Sequence, residues 1–269
     1  MNTAAHAMPT ATARLPLYLR GQEHTTVDAA GPALAVHRTG KSIARYPIAR
    51  LSRIISGRNV QWSGRALNLC MQEEIPIVIL DDKGSPCGYI QPAIVHRSAL
   101  DSLLQQWVDI PHWHISLENW QRAQRMRLVK AWCANRVLSG HDISEKEFRE
   151  LVRLHVQRMK TMKTETNSLW CAALAAYVSQ KLQEAGAAAR YWGHGGDVLD
   201  LRGILLELLE VALALDVAGF GQAAHTDEAA QLRILHAFGK TMNQTTALIL
   251  GSLHQYIRSQ LEEWRCTPL

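Results

Sequence analysis

The chain is expected to fold as an α+β protein, with a small β-rich N-terminal domain followed by a larger all-α C-terminal domain. Three observations carry this. Between Leu15 and Pro92 the apolar segments are short and separated by turn residues, which is the texture of strands. After Pro92 proline is rare apart from Pro111, and apolar residues recur every three or four positions, which is the texture of helices. With 269 residues, 47% of them hydrophobic, the chain can bury a substantial core. The division runs 1–14 as a disordered tail, 15–92 as the β-rich domain and 93–269 as the helical domain.

Residues 1–14 are small and polar and lack the apolar stretch of a secretory signal, so they are read as a tail. Strands are expected at Leu17–Leu19, Ala33–His37, Ala44–Pro47, Ile54–Ile55, Ile75–Leu80 and Cys87–Ile90. Turns between them fall at Ala30-Gly31-Pro32, Thr39-Gly40-Lys41, Gly57-Arg58-Asn59 and Asp81-Asp82-Lys83-Gly84, the last closing a hairpin. One short helix interrupts the strands over Gly64–Glu74. Ala66, Leu67, Cys70 and Met71 recur at helical spacing there, and Ser63 is placed to cap it.

Beyond Pro92, helices are expected at Ile94–Trp107, Ser116–Leu138, Ser144–Lys163, Asn167–Ala185, Leu201–Phe220, and Glu228–Trp264 with breaks. Only His194–Asp200 reads as irregular. No internal repeat is visible, which excludes solenoid and propeller architectures. The most hydrophobic stretch, Leu201–Phe220, carries Arg202, Glu207, Glu210 and Asp216 and cannot span a bilayer, so a cytoplasmic protein is expected. Cysteines at 70, 87, 133, 171 and 266 form no CxxC pair, which disfavours a disulfide framework and a zinc finger.

Charge is unevenly placed. The net formal charge is +5. Between Gln121 and Lys163, however, stand Arg122, Arg125, Arg127, Lys130, Arg136, Lys146, Arg149, Arg153, Arg158, Lys160 and Lys163, against only Asp142, Glu145, Glu147 and Glu150. That local surplus exceeds the whole-chain value, so positive charge is concentrated on adjacent helices. A phosphate backbone fits such a face, and a merely solvated helix surface is the competing reading. Trp113, Trp120 and Trp132, interleaved here, are read as core rather than base-stacking platforms.

The sharpest local feature is Tyr191-Trp192-Gly193-His194-Gly195-Gly196-Asp197-Val198-Leu199-Asp200, between two strongly helical segments. One histidine followed by two carboxylates supplies donors that suit Mg²⁺ or Mn²⁺, and the glycines let the backbone bend closely. The competing reading makes Gly195-Gly196 a turn and Asp197 or Asp200 the cap of the helix at Leu201. Other templates are absent: there is no GxSxG, no phosphate loop ending in Lys-Ser or Lys-Thr, no GxGxxG after a strand and no HExxH.

The segments Leu17-Tyr18-Leu19, Tyr46 to Ile55, Ser63 to Cys70 and Ile75 to Gly84 together resemble the amino domain of the CRISPR-associated spacer-acquisition integrase ("Cas-one") family. The resemblance continues into Lys130-Ala131-Trp132-Cys133-Ala134-Asn135-Arg136-Val137-Leu138 and into Asn167-Ser168-Leu169, which opens the next long helix. It implies a β-rich dimerisation domain over 15–92, a helical catalytic and DNA-binding domain over 93–269, and a homodimer. It also implies double-stranded DNA and the small "Cas-two" protein as partners. The implied activity is that of a metal-dependent DNA endonuclease and integrase. It joins the 3′-hydroxyl ends of captured fragments into a CRISPR array by transesterification.

The family's metal site combines one glutamate, one histidine and one or two aspartates. On this chain the resemblance implies His194 with Asp197 or Asp200, holding Mg²⁺ or Mn²⁺. The Ile-Glu-Gly segment that supplies the family glutamate is absent, leaving Glu150 and Glu147 as candidates, with Glu145 and Glu165 behind them. Glu147 has a second explanation, because Ser144-Glu145-Lys146-Glu147 reads as a capping box. DNA-backbone contacts are expected from Arg122, Arg125, Lys130, Arg149, Arg153, Arg158, Lys160 and Lys163. The alternative is a catalytically degraded member acting as a DNA-binding structural subunit of an integration complex.

Overall fold

Strands occupy the first part of the chain and long helices the rest, the α+β order expected from the sequence. The computed structural model describes residues 14–19, 24–92, 99–136, 150, 168–192, 199–217 and 228–266. Two compact units result, Met1–Pro92 and Ala93–Leu269.

The described strands of the first unit are β1 (Leu15–Leu19), β2 (Thr25–Ala29), β3 (Ala33–Arg38), β4 (Ala44–Pro47), β5 (Leu51–Gly57), β6 (Val60–Trp62), β7 (Ile77–Leu80) and β8 (Pro86–Ile90). Helix α1 (Gly64–Gln72) connects β6 to β7. One sheet is ordered β1-β5-β7-β8, parallel except for the β7–β8 hairpin. The other is ordered β4-β3-β2-β6, antiparallel except for β2–β6. The chain changes sheets across the Arg58-Asn59 turn, and Trp62 Nε1 donates back to Ser56 Oγ at 3.1 Å.

Strand β5 lies between two parallel neighbours, which explains its nearly continuous apolar run. A single buried cluster draws Leu17, Leu19, Ile54 and Ile77 from one sheet and Val27, Leu34 and Val36 from the other. Ala66 and Cys70 of α1 complete it. Burial pushes the Cys70 thiol up to about 12, so it behaves as a small apolar group and not as a nucleophile.

Both ends of α1 are capped. Ser63 Oγ accepts from the Ala66 N–H at 3.1 Å, the role expected of it. At the other end the Ile75 N–H reaches Cys70 O at 2.8 Å and the Glu74 N–H reaches Met71 O at 3.3 Å, with Glu74 at φ 57°. This is a Schellman motif with glutamate where glycine is usual. The hairpin forms where expected: Asp81 Oδ1 accepts from the Ser85 N–H at 2.7 Å, and Gly84 takes φ 79°.

The second unit contains α2 (Ala99–Val108), α3 (Trp113–Arg136), α4 (Ser168–Glu184), α5 (Leu201–Val217) and α6 (Glu228–Cys266) among its described residues. Helix α4 is buried on nearly every face from Ala172 to Ser179, because its alanines let α5 and α6 approach closely. Helix α3 packs on α5, and α2 packs on α6. Trp120 is 3% exposed, a core residue as expected. The breaks expected within the last helix are absent: α6 runs unbroken for 39 residues. Gly239 and Gly251 interrupt propensity but not packing, since Met242, Ile249, Leu253, Ile257 and Leu261 keep one face buried past both. Among the described residues no helix is long and apolar enough to cross a membrane.

Candidate functional site

The segment around the expected ligands begins where α4 stops. Gly186 takes φ 73°, with the Gly186 N–H on Gln183 O at 2.8 Å and the Ala187 N–H on Leu182 O at 2.9 Å. This Schellman turn ends the helix and redirects the chain into a 3-10 turn, Ala189–Tyr191. Trp192, 1% exposed, then packs beneath the helix end, its Nε1 donating to Ala187 O at 3.1 Å.

Arg190 fastens this segment to α2. Its Nη2 lies 3.2 Å and 3.1 Å from the two oxygens of Asp101, a carboxylate 5% exposed. A buried carboxylate is tolerated only when paired, so Asp101 holds Arg190 firmly. The guanidinium also lies 4.9 Å from the centre of the Tyr191 ring. Burial pushes the Tyr191 phenol above its ordinary value, and Arg190 offsets part of that rise.

Trp192 and Asp200 pair as an isolated antiparallel bridge. Asp200 then opens α5: its carbonyl accepts from the Ile204 N–H at 3.1 Å and its Oδ1 from the Gly203 N–H at 2.7 Å. The structure thus gives Asp200 the helix-cap role that was one of its two readings. The carboxylate is exposed and, among the described residues, its Oδ1 accepts from the Gly203 N–H; a carboxylate so placed is of the donor type that suits a hard cation.

Of the other expected ligands, His194, Asp197 and Glu147 lie outside the described residues, and Glu150 is helical and exposed. Among the described residues no three His, Cys, Asp or Glu side chains gather as a metal site.

The basic face is partly described. Arg122 and Lys130 are exposed on α3, eight residues apart and so on one side of the helix. Arg125 is differently engaged: its Nη2 pairs with Glu207 Oε1 of α5 at 2.6 Å, and Gln121 Nε2 donates to Glu207 Oε2 at 2.7 Å. Arg149, Arg153, Arg158, Lys160 and Lys163 lie outside the described residues.

Arg127, counted with the charge but not among the expected DNA contacts, lines a groove of about 400 Å³ between α3 and α6 with Trp120, Gln124, Ser252 and Tyr256. Its Nη1 donates to Ser252 Oγ at 3.1 Å. The spacing of 120, 124 and 127 on one helical face was the available signal.

The family model for CRISPR associated protein Cas1 matches residues 17–203, from β1 into the first turn of α5. No curated protein matches the chain. Among solved structures, the crystal structure of TtCas1 is similar at TM-score 0.60 and 14% identity, covering 90% of this chain and 98% of the other. A Cas1 protein from Thermotoga maritima is similar at TM-score 0.61 and 12% identity, covering 90% and 97%. A casposase bound to integration product is similar at TM-score 0.56 and 13% identity, covering 92% and 91%. At these identities the likeness is one of fold.

Proposed function

Because the chain belongs to the Cas1 family of CRISPR-associated proteins, we propose that it is a metal-dependent DNA endonuclease and integrase of CRISPR adaptation. It joins the 3′-hydroxyl ends of captured double-stranded fragments into a CRISPR array by transesterification. The observation that carries this is the family match over 17–203, which spans the described strands from β1 onward, reaches into the second unit and includes the whole His194–Asp200 segment. The casposase of similar fold, solved with an integration product, supports the same class of reaction.

In this reading His194, Asp197 and Asp200, with Glu150 or Glu147, hold Mg²⁺ or Mn²⁺. Held there, such an ion would supply Lewis-acid polarisation of the target phosphate and would offset charge on its oxygens. The chain's own part is positional. Asp101 and Arg190 anchor the approach to His194, and the Trp192–Asp200 bridge closes the segment at its far end. Arg122 and Lys130 of α3, continued by Arg149, Arg153, Arg158, Lys160 and Lys163, hold the DNA by its phosphates. Arg125 contributes less than its neighbours, since Glu207 already neutralises it. The protein works in the cytoplasm as a homodimer joined through the β-rich unit, with the small "Cas-two" protein in the complete complex.

A second reading makes the chain a DNA-binding structural subunit. It is favoured by the helix-cap role of Asp200 and by the absence of the family's Ile-Glu-Gly segment.

The two separate in a strand-joining assay with a 3′-hydroxyl fragment, a supercoiled repeat-bearing plasmid and Mn²⁺, comparing the native chain with His194→Ala. The enzyme reading expects His194→Ala to lose more than the roughly 10- to 100-fold typical of removing an outer-shell partner. No joining by either protein, with DNA binding intact, would establish the structural role.

A further inference from the structure

We propose that Gly203 is a positioning residue that holds the Asp200 carboxylate in the pose from which it reaches the metal; this rests on the reading of Asp200 as a ligand. Gly203 is the third residue of α5, a place where glycine is disfavoured relative to alanine. It takes no left-handed φ that would demand glycine. What demands it is space. A Cβ at position 203 would fall inside contact distance of Asp200 Oδ2, 2.8 Å from Cγ and 3.1 Å from Oδ1. The carboxylate lies across the bare face of Gly203 while its Oδ1 accepts the Gly203 N–H at 2.7 Å.

The backbone of Asp200 cannot yield to relieve a clash. It is bridged to Trp192 on one side and accepts the Ile204 N–H at 3.1 Å on the other. The side chain must therefore be what moves. Alanine at 203 would turn the carboxylate, carrying Oδ2 away from its present place and straining the bond that Oδ1 accepts from the 203 N–H. The side chain at 203 thus decides where the carboxylate of Asp200 sits.

The test is a cycle of four proteins: native, Gly203→Ala, Asp200→Ala and the double variant. Each is measured by urea unfolding, by calorimetric titration with Mn²⁺ alone, and by Mn²⁺-dependent strand joining. Gly203→Ala should lower the urea midpoint beside Asp200 and raise it in the Asp200→Ala background, where only the helix preference of alanine remains. It should weaken Mn²⁺ binding about tenfold or more, leaving metal-free DNA affinity unchanged.

A Gly203→Ala variant more stable in both backgrounds, or one with native Mn²⁺ affinity while Asp200→Ala has lost it, would overturn the positioning role. If Asp200→Ala itself binds Mn²⁺ as the native chain does while the sign reversal in urea persists, the fault lies in the ligand reading, and the metal role falls for both residues.

Discussion

Ser63 Oγ accepts from the Ala66 N–H and donates to Asp28 Oδ1 at 2.6 Å, tying the start of α1 to β2. The Ser63 hydroxyl, and after it the Ala29 N–H, hold the Asp28 carboxyl below its ordinary value of 3.8. A lowered carboxyl contributes stability that is present above the unfolded value and is lost as the pH falls through the folded one. The native chain should therefore lose more of its urea midpoint between pH 7 and pH 3 than the Asp28→Asn variant, by a small margin because Asp28 is exposed. Equal losses would show that the charge plays no part. Ser63 was legible as a cap because the rule for it is local. Its tie to Asp28 was not, because the two lie 35 residues apart and only the β2–β6 pairing brings them together. Asp200 was legible as two things at once, cap and ligand, and the sequence alone did not choose between them; the structure shows the cap.

At the level of elements, the end of α4 near Ala185 and the start of α5 at Leu201 were readable from apolar periodicity on either side of the irregular segment. Strands β2 and β6 were not. Thr25-Thr26-Val27-Asp28-Ala29 alternates in burial, but its inward positions are Thr25 and Val27, a weak apolar signal, and β6 is three residues long. Their strand character comes from sheet neighbours. The error in α6 ran the other way: its glycines look like breaks locally, and tertiary packing overrides them. Gly251 is exposed, and a methyl group added there meets nothing within 4 Å. Gly251→Ala should thus stabilise the chain by about 1 kcal/mol in urea unfolding. A destabilised variant would mean that α6 needs the glycine for a purpose other than continuity.

Over the whole molecule, a net charge of +5 permits a polyanion partner without requiring one. Its concentration between Gln121 and Lys163 marks the stretch from which backbone contacts are expected. Among its described residues Arg125 is paired with Glu207, while Arg122 and Lys130 are exposed. The family match spans both this stretch and the His194–Asp200 segment. The central claim is that this chain transfers a DNA 3′-end onto a phosphodiester. The most direct measurement is a label-transfer reaction with Mn²⁺ and a supercoiled repeat-bearing plasmid. It compares a labelled fragment ending in a 3′-hydroxyl with the same fragment ending in a 3′-deoxy sugar. The account predicts covalent fragment–plasmid product from the hydroxyl end alone, abolished by chelation. Equal product from both ends, or none from either while the DNA stays bound, would contradict it.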